Sequence, residues 1–148
     1  MYEFSVFLII VGMGAIFGVA LTASIVVHPI LLAVSKPTAI EVFKPFFDKT
    51  HIIVIVLSML VSGIALVASF LSGHWSWFII SLLMHLNGPY TLIFMMPLNR
   101  RLMAEDVDPH SEQTSNDLIK WGKLHAVRTV VNGLIFLIFI YDSTYLSN

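Results

Sequence analysis

The chain alternates between long apolar runs and short polar links. Four runs approach the ~20 residues a helix needs to cross the hydrocarbon core of a bilayer: about 4–28, 51–71, 75–96 and 118–141. Prolines mark two limits, since the first run stops at His28-Pro29 and the third before Pro97. The link Ser72-Gly73-His74 is tight, so the second and third spans are expected to pair as a hairpin. Segment 36–50 reads as a short amphipathic helix at the interface, with Phe43, Phe46 and Phe47 as its apolar residues. Segment 103–116 is acidic, contains Pro109, and reads as a polar loop. Pro89 lies inside the third span and predicts a kink there, with neighbouring helices re-satisfying the freed backbone. The expected fold is all-α: an integral membrane four-helix bundle, one domain over residues 1–148.

Composition agrees with that pattern. Hydrophobic residues make up 57% of the 148 and charged residues 11%, against ~25% charged in a soluble domain. The net charge of −1 gives no basis for a nucleic-acid partner. The absence of cysteine excludes disulfides, thiolate metal sites and thiol catalysis. The first run has no basic segment before it and no clear cleavage site, so it reads as a retained span rather than a signal peptide. All eight lysines and arginines fall within 36–49, 100–101 and 120–128, on one side of the four-span arrangement. By the positive-inside rule that side is cytoplasmic and both termini are outside. The expectation is a multi-pass protein of a lipid bilayer, the plasma (inner) membrane if the source is bacterial.

Helices in lipid associate by close packing of small residues. Gly14, Gly18 and Thr22 on the first span, and Ser58, Ser62, Ala65 and Ser69 on the second, read as seams. The two glycines would equally serve a homo-oligomer.

Polar residues at membrane depth are the candidate chemistry, because ionisable groups there are costly and turn toward a bundle interior or a wet cavity. Trp121, His125, Arg128 and Asn132 recur at i, i+4, i+7 and i+11, one stripe along the fourth span. His28, His51 and Asn99 end or begin other spans on the same side, so four helices bring polar side chains to one end of the bundle. Taken singly, each also suits a headgroup or belt position. His85 lies deeper, in the third span. A neutral ring with a hydrogen-bonded partner is expected there, and Asn87, Tyr90 and Thr91 supply polar groups nearby.

The motifs Pro97-Leu98-Asn99-Arg100-Arg101-Leu102 and Trp121-Gly122-Lys123-Leu124-His125-Ala126-Val127-Arg128 resemble the anthrone oxygenase-like family of small four-span membrane proteins. Val26 to Leu32 and Lys49 to Val54 extend the likeness more weakly over most of the chain. Relatives commonly carry Asn at the position of His125. The resemblance implies oxidation of a small lipophilic phenolic or enolisable substrate, with no metal ligands and no cofactor. In that chemistry His51 or His125 is the base, Arg128 and Asn99 are donors to the developing oxyanion, and Trp121 stacks on the ring system. His28, Asn132 and His85 complete the substrate-binding set. Two other readings stand beside it. One is a redox protein with haem or a metal held by histidines, for which His28, His51 and His125 have matching depth and Asp48 is near. The other is a non-catalytic membrane protein whose polar residues lock the bundle or meet lipid headgroups.

Overall fold

The computed structural model describes residues 2–146, all helix and short links. Four helices are long and apolar enough to cross a membrane: α1 (Glu3–Ala33), α2 (Lys36–Ser72), α3 (Ser76–Leu102) and α4 (Glu112–Leu146). Each packs on its neighbour in sequence, and α4 closes the bundle against α1.

Every helix outruns the apolar stretch that announced it. The largest difference is in α2, where 36–50 is not a separate interfacial helix but the first part of one 37-residue helix. At 1.5 Å per residue α2 is about 55 Å long, far more than the ~30 Å hydrocarbon core. Ser35 caps it, accepting a hydrogen bond from the Thr38 amide, and Pro37 sits in its first turn, where no partner for an N–H is needed. Hydropathy marks the part that meets lipid, and the helix continues past it.

The proline limits were wrong for a definite reason. Helix α1 passes through Pro29 and α3 through Pro97, and in both a π-helical turn immediately precedes the His-Pro or Met-Pro pair. These turns are Ala23–Val27 and Thr91–Met95. In them the His28 amide reaches back to the Ala23 carbonyl and the Met96 amide to the Thr91 carbonyl. A wider turn relieves the collision between a proline ring and the preceding carbonyls, so the helix continues. Helix α3 is irregular on both sides of Pro89, with a 3-10 turn at Met84–Leu86 before it and the π turn after it. The α2–α3 link turns on Gly73, whose φ of +84° suits a residue without a side chain.

Two apolar cores fill the bundle. One gathers Ile9, Met13, Val61, Trp77, Ile135 and Phe139. The other gathers Leu31, Phe43, Met95, Leu98, Leu118 and Trp121. The serine–alanine seam of α2 is buried as expected. The proposed seam of α1 is not. A Cβ at Gly18 would meet nothing, and Thr22 is exposed. The close approach is instead at Gly12, where a Cβ would overlap Val61. At the basic end Arg101 grips Asp117 with two bonds, Nε to Oδ2 at 2.6 Å and Nη2 to Oδ1 at 2.8 Å, tying α3 to α4 across the loop.

Candidate active site

The i, i+4, i+7, i+11 stripe of α4 does line one cleft. Trp121, His125, Arg128 and Asn132 form one wall, Ile16, Val19 and Ala20 of α1 a second, and Phe46, Phe47, Thr50, His51 and Val54 of α2 a third, with Met95 of α3. The cleft lies where the two cores meet. It is narrow, about 30 Å³, room for roughly one or two water-sized molecules. His51 is exposed and its ring stacks on Phe47 at 5.4 Å. Its neighbours Ile52 and Ile55 are exposed apolar residues, so the mouth opens sideways, toward the surface that lipid would cover.

Trp121 is 2% exposed. Its ring stacks on His125 at 4.8 Å and meets Phe43 edge-on at 5.4 Å. One face of the indole is therefore already taken by the imidazole. His125 is 5% exposed. Its Nδ1 lies 3.0 Å from the Ser24 hydroxyl, which lies 2.7 Å from the Thr129 hydroxyl. Asn132 is oriented by Asn87 of α3, whose Nδ2 donates to the Asn132 Oδ1 at 2.6 Å. That leaves the Asn132 Nδ2 as a buried donor with no partner among the described residues.

Arg128 is half-buried. Its Nε is buried without a partner, and its Nη1 has only the Met95 sulfur, at 3.9 Å. Among the described residues the ion pairs are Lys44–Asp48 and Arg101–Asp117, so no carboxylate answers this guanidinium. A cation at such depth without a counter-charge is expensive. It becomes favourable when an anion enters beside it.

The remaining candidates lie elsewhere. Asn99 is 0% exposed and both its amide atoms lack partners among the described residues, but it does not line the cleft. His28 is a packing residue. Its Nε2 donates to the Leu118 carbonyl at 3.1 Å, and its ring fills the space that a Cβ on Gly122 would need. His85 is exposed, away from the cleft. Its partner is Ser62 of α2, at 2.9 Å, rather than the polar residues of its own helix. Among the described residues no three histidines or carboxylates gather as a metal-binding group, so His28, His51 and His125 are not brought together, and Asp48 pairs with Lys44. Ser24, Thr129 and Asn87 hold the site in shape, yet nothing in their spacing separates them from ordinary small polar residues of a helix seam.

The family model for anthrone oxygenase matches residues 43–138. The chain belongs to the anthrone oxygenase family. The matched stretch carries His51, Asn99 and the whole α4 stripe, while Ser24 and His28 lie before it on α1. No curated protein and no solved structure matches the chain. Membership in the anthrone oxygenase family and four helices able to span a bilayer together describe a multi-pass membrane protein of an oxygenase-like family.

Proposed function

We propose that this protein oxidises a small lipophilic, enolisable or phenolic compound that enters the cleft from the bilayer. The observation that carries this reading is the unpaired Arg128 guanidinium on the same cleft as the free Asn132 amide N–H and the His125 ring. Those are the parts that enolate chemistry needs: a base, and donors aimed at the oxygen where negative charge develops. Asn132 thus takes the donor role that the sequence suggested for Asn99.

The steps balance with dioxygen as the only co-reactant. The His125 Nε2 takes a proton from an activated methylene, and the charge moves onto the substrate oxygen held by Arg128 and Asn132. The carbanion adds dioxygen to form a C–O bond, and the peroxide takes the proton back from His125. Loss of water, with the second methylene hydrogen, leaves a carbonyl. The sum is R₂CH₂ + O₂ → R₂C=O + H₂O. Apolar walls keep bulk water from the carbanion. Phe46, Phe47 and His51 form the movable side, because a fused-ring substrate exceeds the space present and must swing them outward. The basic ends of the helices put the cleft nearer the cytoplasmic face by the positive-inside rule.

The test is oxygen uptake by the purified protein in lipid nanodiscs, with an anthrone-type compound. Arg128→Gln should lower kcat about 10²–10³-fold, the usual cost of an oxyanion donor. His125→Gln should be as severe, and His51→Gln mild. Equal turnover in wild type and Arg128→Gln would refute the reading. A Soret band or a stoichiometric metal in the active preparation would favour the histidine-ligated alternative instead.

A further inference from the structure

The Ser24 hydroxyl has one proton and two polar neighbours, and the direction in which it donates has consequences. Start from Thr129. Its Oγ1 lies 3.0 Å from the Ala20 carbonyl and 3.2 Å from the His125 carbonyl. Carbonyl oxygens only accept, so the Thr129 proton is directed to one of them. Its contact with Ser24 at 2.7 Å then has Ser24 as donor and Thr129 as acceptor. With its single proton committed, Ser24 can only accept from His125, across 3.0 Å to Nδ1. The proton of a neutral His125 therefore sits on Nδ1, and Nε2 carries a lone pair. The opposite direction would set the Thr129 oxygen lone pairs against two carbonyl oxygens in a nearly dry environment, which is the unfavourable arrangement.

We infer that Ser24 and Thr129 are positioning residues that hold His125 as the Nδ1–H tautomer, so that Nε2 is the atom offered to the substrate proton. The functional part of this inference rests on His125 being the base proposed above. The tautomer itself does not. The device joins two helices. Thr129 is one turn beyond His125 on α4, and Ser24 belongs to the π turn of α1, just before the proline pair. When the ring takes the substrate proton on Nε2, it becomes a cation whose Nδ1–H still points at the Ser24 oxygen. No hydrogen bond in the chain has to reverse during the reaction.

Nitrogen-15 NMR of histidine-labelled protein in nanodiscs, without substrate, reads the tautomer directly, and the His125 signals are assigned by their loss in His125→Gln. In the wild type, Nδ1 should be the protonated nitrogen. In Thr129→Val the Ser24 proton is released to turn toward Nδ1, so the ring should switch to Nε2–H. In Ser24→Ala the preference should collapse to a mixture, and Ser24→Thr should restore it. Turnover should fall by about 10²-fold in Thr129→Val, in line with loss of a general base. An Nε2–H ring in the wild type, or a tautomer unmoved in both Thr129→Val and Ser24→Ala, overturns the inference. Tautomer shifts as described, with full turnover in His125→Gln, support the positioning device and refute the base assignment alone.

Discussion

Replacing Gly122 with alanine separates a locking role for His28 from a role in substrate binding. An alanine Cβ would fall on the Cε1, Nε2 and Nδ1 atoms of the His28 ring. The imidazole is wedged against the α4 backbone and has no small adjustment available, so the ring must leave. Its bond to the Leu118 carbonyl at 3.1 Å is lost with it. Overpacking of this kind costs about 1–3 kcal/mol and the hydrogen bond about 0.5–1.5 kcal/mol. A total near 2–4 kcal/mol is expected, roughly a 30- to 700-fold change in the folding equilibrium. Denaturation by SDS in mixed micelles, followed by circular dichroism, measures it. The decisive protein is the double variant. With His28→Ala the obstructing ring is gone, and the alanine methyl at 122 occupies the emptied space. The double variant should therefore be more stable than Gly122→Ala alone, with a coupling of about 1–3 kcal/mol. A Gly122→Ala variant within ~0.5 kcal/mol of wild type, or a double variant as unstable as the sum of the singles, would refute the reasoning.

Three other outcomes can be checked with similar means. Asn87→Ala releases the Asn132 amide held at 2.6 Å, so kcat should fall about tenfold with KM little changed in the oxygen-uptake assay. Asp117→Asn weakens a two-pronged grip on Arg101, whose side chain is 48% exposed against 5% for Asp117. A loss of about 1–3 kcal/mol is expected in the same denaturation experiment. Phe47→Ala removes the ring that stacks on His51 at the mouth, so the largest fused-ring substrates should show a lower KM and the smallest should not. Equal effects across the size series would count against a lateral entrance.

What the sequence could reveal depended on whether the information lay within one helix. The stripe of α4 was legible because Trp121, His125, Arg128 and Asn132 lie on an uninterrupted stretch, where 3.6 residues per turn fixes their common face. The four spans were legible because lipid demands long apolar runs. Asn99 and His28 were misread for a shared cause. Each follows a π turn, which advances the helix by an extra residue and rotates everything after it by about 100°. A reading that carried the regular phase through Ala23–Val27 or Thr91–Met95 assigned the wrong side to what came next. His85 was placed at the right depth but on the wrong face, with its partner on another helix. Ser24 and Thr129 matter through hydrogen bonds between residues more than 100 positions apart, a relation that no local pattern encodes.

The π turn at Ala23–Val27 also bears on how this sequence can change in length. Upstream of it, Ile9, Met13, Ile16 and Ala20 are in register with the bundle interior. Downstream, His28 and Leu31 are in register with α4 and the second core. The looser turn between them holds one surplus residue. Deleting one residue from 23–27 should let α1 rewind as a continuous α-helix while both flanking registers survive. The same deletion made at 10–14 would turn one register against the other and leave part of the apolar interior facing outward. Length variation in the first helix is therefore confined to the turn that carries Ser24, so that changes in length and changes in the setting of His125 occur at the same place.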